Sequence, residues 1–312
     1  MKIGFIYAGQ GSQTVGMGRS LYENYQAARP VFDDCVMDFD LKQLCFYGPA
    51  EQLNQTRYTQ PCMVAVAVAA TCVLTENGIL PDIAAGLSLG EYSALYAAGA
   101  FNAQTALSLT RFRGQVMESS VQDIDGKMTA VLGLERELLQ SACDESSDLG
   151  TVQIANYNCP GQMVLGGVAA AVEKASKAAI AKGARRVLPL NVSGPFHTSL
   201  LSPAAERLAE KLRDIKINKL NIPVIFNSTA RPLQNDETIA RLLTRQVMSP
   251  VYFEDSIRYM EQTGVTTVIE IGPGKVLSGF VRKTAPSISV LSVEDAATME
   301  AAIAIIKKQE VI

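Results

Sequence analysis

The segment Gly86-Leu87-Ser88-Leu89-Gly90 is the feature that most restricts how this chain can fold. A serine in the pattern G-x-S-x-G is typical of a sharp turn from a strand into a helix, where the glycines relieve backbone crowding. The flanking residues agree, because 81–85 has the pattern of a short buried strand and 91–98 that of a helix that ends at Gly99. We therefore expect Ser88 to lie on a strand-turn-helix of an α/β fold. A glycine-rich turn without chemistry is the alternative.

His197 is the only histidine of the 312 residues. A serine becomes a useful nucleophile near neutral pH only when a neighbouring base takes its proton, and imidazole is the usual base. If Ser88 is a nucleophile assisted by histidine, the base must therefore be His197. The first N–H groups of the helix after the serine would face the group under attack, so the Leu89 N–H is a candidate oxyanion donor.

Composition excludes several classes of protein. With 48% apolar residues the chain can bury a large core, and its net charge of −3 argues against a nucleic-acid partner. The N-terminus does not resemble a signal peptide, and the longest apolar stretch, 63–74, is interrupted by Thr71, so we expect no membrane span and a cytoplasmic protein. The six cysteines form no C-x-x-C pair, which together with the single histidine predicts reduced thiols and no metal site.

Strand and helix patterns alternate along the chain, which favours a parallel sheet covered by helices. The clearest elements are strands at 2–7, 223–227 and 266–271 and a buried helix at 59–74 with Pro61 in its first turn. Between 129 and 192 the pattern instead has the order βαββαβ, which is that of a ferredoxin-like split.

We therefore predict two domains. Residues 1–124 and 192–312 would form an α/β-hydrolase-like catalytic domain with a parallel sheet, and residues 125–191 a ferredoxin-like insert. Since Ser88 precedes the insert and His197 follows it, the active site would lie in the cleft between the two domains.

Two glycine-rich loops resemble nucleotide-binding motifs but fail in detail. The loop 9–13 would need glycine at the position of Thr14 to match a dinucleotide fingerprint, and 272–275 lacks the flanking glycine and hydroxyl residues of a phosphate loop. The sequence therefore predicts no nucleotide cofactor. The first loop can instead bring a backbone N–H, such as that of Gln10, close to the serine as a second oxyanion donor, unless it is a plain tight turn.

The predicted helix at 103–120 contains two arginines on different faces. Arg113 shares a face with apolar residues, whereas Arg111 lies opposite and is expected to be solvated. A buried guanidinium needs an anionic partner, because leaving it unpaired costs several kcal/mol. The partner of Arg113 is either a carboxylate of the protein or a substrate carboxylate held by two hydrogen bonds.

Seven segments occur in the order found in malonyl-CoA:acyl carrier protein transacylases, and the chain resembles that family over nearly its whole length. The segments are Ala8-Gly9-Gln10-Gly11-Ser12-Gln13, Gly86-Leu87-Ser88-Leu89-Gly90-Glu91-Tyr92-Ser93-Ala94-Leu95, Arg113-Gly114, Asn156-Tyr157-Asn158-Cys159-Pro160-Gly161-Gln162, Gly194-Pro195-Phe196-His197, Gln246-Val247-Met248-Ser249-Pro250-Val251 and Glu270-Ile271-Gly272-Pro273-Gly274. The chain departs from the family at Leu87, where many members have histidine, and this bears on substrate handling rather than on the mechanism.

The resemblance implies a ping-pong transfer of malonyl from malonyl-CoA to the phosphopantetheine thiol of acyl carrier protein, in bacterial fatty acid synthesis. Ser88 would be the nucleophile and His197 the base, with the N–H groups of Gln10 and Leu89 as oxyanion donors. A serine thioesterase or hydrolase, a discrete acyltransferase of a polyketide synthase and a carrier-protein docking module without catalysis are the alternatives. Arg113 favours the transferase, because a simple esterase needs no buried cation.

The resemblance also implies substrate-binding roles for Arg113, Phe196, Gln246 and Asn156. Phe196 matches malonyl-selective relatives. A backbone carbonyl near Gln246 would orient the histidine, making a Ser-His dyad, although Glu270 and acids of the insert remain possible partners. Asn156 and the nearby Asn158 either line the cleft or cap a turn.

Overall fold

The computed structural model describes residues 1–192 and 194–310; Ser193 and residues 311–312, which the prediction assigns to the catalytic domain, lie outside the described residues. Within them the strands are β1 (Ile3–Tyr7), β2 (Ile83–Gly86), β3 (Gly126–Leu132), β4 (Val152–Cys159), β5 (Gln162–Val168), β6 (Arg186–Pro189), β7 (Val224–Phe226), β8 (Arg231–Pro232), β9 (Val251–Tyr252), β10 (Thr267–Ile271) and β11 (Ser289–Val293). The α-helices are α1 (Arg19–Asn24), α2 (Arg29–Asp33), α3 (Leu41–Tyr47), α4 (Ala50–Leu53), α5 (Thr56–Glu76), α6 (Gly90–Ala97), α7 (Ala103–Ser119), α8 (Arg136–Asp144), α9 (Ala169–Ala181), α10 (Ser202–Arg213), α11 (Ile239–Val247), α12 (Phe253–Gln262), α13 (Val276–Thr284) and α14 (Ala296–Glu310).

The larger sheet has the strand order β11-β10-β1-β2-β7-β8 and is parallel except for β8. Its strands are short apolar runs because helices cover both faces. Phe5 and Tyr7 of β1 pack into the core that contains α5 and α7, whereas Ile6 packs into the core that contains α12 and α13. The predicted mixed α/β fold with a parallel sheet is confirmed, and the strands predicted at 2–7 and 266–271 begin one residue later than expected.

The register of this sheet brings three loops together. Tyr7 at the end of β1 lies opposite Gly86 at the end of β2, and Ala85 of β2 lies opposite Ile225 of β7. Because the carboxyl ends of parallel strands meet at one edge, the loops that follow β1, β2 and β7 adjoin. The site described below is built at this edge.

The smaller sheet has the order β6-β3-β5-β4-β9. Its first four strands are antiparallel, and α8 and α9 pack into their own apolar core against them. The fifth strand, β9, comes from outside the region 125–191 and pairs in parallel with β4, which the sequence analysis missed. The rings of Tyr157 on β4 and Tyr252 on β9 stack with centroids 5.0 Å apart, so this strand joins the smaller sheet to the rest of the chain.

Helix α5 corrects two predictions. It begins at Thr56, so Pro61 lies inside the helix rather than in its first turn. Proline has no N–H to donate to the carbonyl four residues earlier, that of Arg57, and the Arg111 guanidinium donates to this oxygen instead, at 2.9 Å. Arg111 also holds Asp38 with two hydrogen bonds of 2.9 and 2.7 Å, and its side chain is only 11% exposed. The expectation that Arg111 is solvated was therefore wrong.

By length and apolar composition alone, α5 could cross a membrane. The expectation of no membrane span rested on the stretch 63–74, and the helix extends beyond this stretch at both ends. Most of its most apolar window, 83%, is buried inside the protein, where it packs against α7. Helix α5 is accordingly the central helix of the larger core.

Candidate active site

Ser88 lies at the turn between β2 and α6, in a left-handed backbone conformation with φ of 51°. Both flanking glycines are required by close packing. A Cβ on Gly86 would collide with the backbone of Gly90, and a Cβ on Gly90 would collide with the Tyr7 carbonyl of β1. The turn therefore presses against the neighbouring strand and projects Ser88 beyond the edge of the sheet.

His197 is buried and contacts the serine directly. Its Nε2 lies 2.6 Å from Ser88 Oγ, and its Nδ1 lies 2.9 Å from the backbone carbonyl oxygen of Gln246. A carbonyl can only accept, so Nδ1 carries the proton and Nε2 is the acceptor for the serine hydroxyl. Burial, with a smaller contribution from the Arg113 charge, lowers the pKa of His197 to about 4, which keeps the imidazole neutral and able to take a proton at neutral pH.

None of the acidic side chains that could orient His197 forms a hydrogen bond with it among the described residues. Glu270 is buried beneath the start of α13, where its carboxylate accepts hydrogen bonds from the N–H groups of Leu277 and Ser278 at 2.9 and 2.7 Å. Among the hydrogen bonds of the described chain, the Nδ1 contact of His197 is with a carbonyl and not with a carboxylate. The geometry is that of a Ser-His dyad.

The two backbone N–H groups predicted as oxyanion donors lie in the expected loops. Gln10 lies in the loop after β1 and lines the same cavity as Ser88, while Leu89 is the N-cap residue directly before α6. Within the described chain neither N–H donates a hydrogen bond to another group. The Ser88 N–H, by contrast, donates to the Asn227 side-chain oxygen at 2.6 Å, so it is not available to a substrate.

Arg113 is fully buried on α7 and points at the nucleophile. Its Nη2 donates to Ser88 Oγ at 3.2 Å and to Gln246 Oε1 at 2.9 Å, and its guanidinium lies over the Tyr92 ring, 5.4 Å from the centroid. No acidic side chain of the described residues forms an ion pair with it, and its Nε has no partner there. The alternative of a protein carboxylate as partner therefore loses its support.

Glu91 is a buried acid close enough to Arg113 to influence its pKa, but the two side chains form no ion pair among the described residues. Burial raises the pKa of Glu91 to about 8, so this carboxyl is protonated near neutral pH and does not neutralise the guanidinium. A guanidinium without an ion pair among the described residues thus lies beside Ser88, where it can bind an anionic group of a substrate.

A cavity of about 270 Å³ joins these groups. Six of the predicted residues line it: Gln10, Ser88, Arg113, Asn156, Phe196 and His197. The walls come from β3, β4 and β5 of the smaller sheet, from the loops that follow β1 and β2 of the larger sheet, and from α5, α7 and α13, and Leu87 and Asn158 also contribute. The side chain of Gln246 is buried behind the cavity and donates to the Ser88 carbonyl at 2.8 Å, so this residue contacts the nucleophile, the arginine and the histidine. A larger cavity of about 640 Å³, around 217–224 and 232–240, contains none of the predicted residues.

Sequence analysis missed Asn227 and Glu91 as parts of the site. Asn227 directly follows β7, beside the turn after β2, and a polar residue at the carboxyl end of a neighbouring parallel strand was the available signal. Glu91 lies in the first turn of α6 and was treated only as part of the motif. No group of three or more His, Cys, Asp or Glu side chains that could hold a metal occurs among the described residues.

Comparison with known proteins identifies the class of protein to which this chain belongs. The family model of the acyl transferase domain matches residues 4–310, so the chain belongs to this family. Within it the chain belongs with the malonyl CoA-acyl carrier protein transacylases. It is 45% identical to that protein of Bacillus subtilis over 311 residues, which is 99% of this chain and 98% of the relative.

Solved structures give the same result. A malonyl CoA-acyl carrier protein transacylase from Clostridium perfringens superposes with a TM-score of 0.97 at 42% identity, covering 100% of this chain and 99% of the other. A malonyl-transacylase solved in complex with a type II PKS acyl-carrier protein superposes with a TM-score of 0.94 at 37% identity, covering 97% and 99%.

Proposed function

We propose that this protein is an [acyl-carrier-protein] S-malonyltransferase that moves malonyl from malonyl-CoA to the phosphopantetheine thiol of acyl carrier protein, for fatty acid synthesis. The observation that carries the proposal is the buried Arg113, which has no acidic partner in the described chain and lies within 3.2 Å of the nucleophile. Relatives named for this reaction match the whole length of the chain.

In the first half-reaction Ser88 Oγ attacks the thioester carbonyl of malonyl-CoA while its proton moves to His197 Nε2, 2.6 Å away. The N–H groups of Gln10 and Leu89 stabilise the negative charge on the carbonyl oxygen. The C–S bond then breaks, and the CoA sulfur leaves with the proton returned by His197. The product is a malonyl-serine ester.

In the second half-reaction the phosphopantetheine thiol gives its proton to His197 and attacks the ester carbonyl. The same two N–H groups hold the oxyanion, the C–O bond to Ser88 breaks, and His197 returns the proton to the serine oxygen. Because CoA leaves before the carrier protein reacts, the kinetics are ping-pong. The Gln246 carbonyl keeps the proton on Nδ1 throughout, so the same ring nitrogen serves both steps.

The buried cation also distinguishes the transferase from a thioesterase or hydrolase with the same dyad. A carboxylate at the end of the acyl chain forms an ion pair with the Arg113 guanidinium. A neutral acyl group forms no such pair and leaves the guanidinium without a counter-ion. Phe196, only 7% exposed, forms the wall beside the acyl group and limits its size, and the Asn156 side chain lines the same cavity from β4. A discrete acyltransferase of a polyketide synthase would use the same site, and a relative in complex with such a carrier protein supports this as a second role.

The domain assignment belongs to the same proposal. Residues 1–124 and 192–312 form an α/β-hydrolase-like catalytic domain and residues 125–191 a ferredoxin-like insert. The order β6-β3-β5-β4 with two helices on one face supports the insert, and the parallel sheet with a serine turn after β2 supports the larger domain. The cavity with walls from both parts supports a site in the cleft between them.

Two basic clusters are candidates for binding an acidic carrier protein in the cytoplasm. The insert-edge cluster consists of Lys182, Arg185 and Arg186, and the α13 pair consists of Arg282 and Lys283. Lys182 is already paired with Glu145 at 2.6 Å, whereas Arg185, Arg186 and both members of the α13 pair form no ion pair within the described residues. Helix α13 also lines the cavity, so the α13 pair is the better candidate.

Intact-mass measurement tests the proposal. The protein is incubated with malonyl-CoA alone, and a malonyl adduct that maps to Ser88 is expected. Addition of phosphopantetheinylated acyl carrier protein should transfer the adduct to the carrier, whereas the phosphopantetheine-free carrier should not receive it. Release of free malonate without transfer would identify a hydrolase instead.

A further inference from the structure

Asn227 is fully buried, and each of its polar groups forms a hydrogen bond. Its side-chain Oδ1 accepts from the Ser88 N–H at 2.6 Å, and its Nδ2 donates to the Gly86 carbonyl at 2.7 Å. Its backbone N–H donates to Glu91 Oε2 at 2.6 Å, and its carbonyl accepts from the Tyr252 N–H at 2.9 Å. One side chain thus bridges the residue two before the nucleophile and the nucleophile itself.

The turn requires such a bridge because its conformation is unfavourable. Ser88 has a φ of 51°, in the left-handed region that residues other than glycine rarely adopt, so its backbone is strained. Gln246 supports the turn from the other side, since its Nε2 donates to the Ser88 carbonyl. The peptide groups on both sides of the nucleophile are therefore held by side-chain amides from two distant segments.

We propose that Asn227 is a positioning residue that holds the Ser88 turn in its reactive conformation and keeps the Ser88 N–H away from the substrate. Two effects follow. The serine oxygen stays within 2.6 Å of His197, and the Leu89 N–H, one residue further on, remains the donor that this turn offers to the oxyanion. Glu91 completes the arrangement by fixing the Asn227 backbone from the first turn of α6. This inference rests on the proposed function for its substrate but not for its geometry.

Replacing Asn227 by aspartate separates positioning from stability. The introduced carboxyl keeps an oxygen for the Ser88 N–H but, when ionised, has no proton to donate to the Gly86 carbonyl and repels it. When protonated, the carboxyl restores that donor. Burial beside a carbonyl oxygen favours the protonated form of such a carboxyl, so the variant is compared with the wild type across a range of pH in which His197 stays neutral.

Other ionisable groups surround the serine and need control. Glu91 and Tyr92 approach from α6, Arg113 from α7 and His197 from the loop after β6. Glu91 titrates in the same range, because its pKa is raised to about 8. The Asn227→Asp variant is therefore also made in a Glu91→Gln background, and every rate is divided by that of the matching protein with Asn227.

The experiment measures covalent labelling of Ser88 by a fluorophosphonate and, separately, by malonyl-CoA, from pH 6 to pH 8. We expect Asn227→Asp to react about 10- to 100-fold more slowly than the wild type at pH 8 and to recover most of this loss at pH 6. Asn227→Ala should react more slowly than the wild type by a factor that does not change with pH, and its KM for malonyl-CoA should be unchanged. Asn102→Asp, which keeps the cap of α7, is the matched control and should react like the wild type.

Circular dichroism at each pH establishes that the variants are folded. If Asn227→Asp does not fold at pH 8, the loss of kcat without change of KM in Asn227→Ala decides the matter. Equal rates for Asn227→Asp and wild type at pH 8, or parallel pH profiles for the Asp and Ala variants, would overturn the inference. If the wild type reacts with the fluorophosphonate but not with malonyl-CoA, the proposed function is refuted. The fluorophosphonate rates of the variants then test the role of Asn227 by themselves.

Discussion

Replacement of Arg113 by alanine is expected to change which acyl group the enzyme transfers. In the structure the guanidinium is fully buried, lies 3.2 Å from Ser88 Oγ and has no acidic partner among the described residues. Malonyl-CoA brings the missing carboxylate, whereas acetyl-CoA brings none. In the Arg113→Ala variant the malonyl carboxylate would enter the cavity without a counter-ion.

The size of the effect follows from two separate losses. Breaking a buried ion pair by removing one partner costs about 3 to 5 kcal/mol, which corresponds to a fall of about two to almost four orders of magnitude in malonyl transfer. Arg113 also donates to Gln246 Oε1 at 2.9 Å and to Ser88 Oγ at 3.2 Å, and losing these hydrogen bonds costs about 1 kcal/mol or somewhat more for every substrate. Acetyl transfer should therefore stay within about tenfold of its wild-type rate, since it suffers only the second loss.

The assay compares kcat/KM for malonyl-CoA and acetyl-CoA, with transfer to acyl carrier protein followed by intact mass. The malonyl-to-acetyl ratio isolates the ion pair because the shared loss cancels. Arg111→Ala is the matched control, since Arg111 lies on the same helix but contacts Asp38 and the Arg57 carbonyl, and it should leave the ratio unchanged. If Arg113→Ala lowers both activities by the same factor, Arg113 is a structural residue and the reasoning fails.

The remaining predictions concern the dyad, the buried acid and the carrier protein. Ser88→Ala should abolish the malonyl adduct and His197→Ala should slow its formation by orders of magnitude, as measured by rapid-quench mass spectrometry; an adduct on another residue would contradict the assignment. Adduct formation should keep its rate down to about pH 5, because the lowered pKa of His197 places the acid limb near pH 4; a limb near pH 6.5 would indicate a solvated imidazole. Folding raises the pKa of Glu91 from 4.5 to about 8, so the free energy of unfolding of the wild type should fall as the pH rises between these values. In urea titrations at pH 5 and pH 8, the free energy of unfolding of Glu91→Gln should fall by less. Equal falls in the two proteins would argue against a buried neutral carboxyl. Charge reversal of Arg282 and Lys283 should raise KM for carrier protein and spare acylation, and a rise seen only for the insert-edge cluster would relocate the docking surface.

The sequence predicts those parts of the fold in which residues close together in the chain determine the local structure. The strand at 2–7, the serine turn and the βαββαβ order each follow from short local patterns, and β1, β2, α6 and the elements from β3 to β6 appear where these patterns are. The pairing of Ser88 with His197 was also predictable, because composition offers no other imidazole.

The contacts that escaped prediction join segments far apart in the chain. Strand β9 has only two residues, too few for a periodic signal, and forms because β4 offers it an edge. Arg111 donates to the Arg57 carbonyl, which lacks a helical donor because Pro61 has no N–H. The position of Arg111 around its own helix does not predict this contact. Asn227 becomes part of the site only through the register of β2 and β7, which no single segment specifies.

The left-handed conformation of the nucleophile has a consequence for the engineering of this protein. Ser88 and His197 both have positive φ, 51° and 61°, so the two residues proposed to carry out the reaction occupy positions where glycine would fit the backbone with less strain. A selection for thermal stability alone would favour glycine at the very positions on which activity depends. Stabilised forms of this enzyme should therefore be sought under simultaneous selection for acyl transfer, with both positions held fixed.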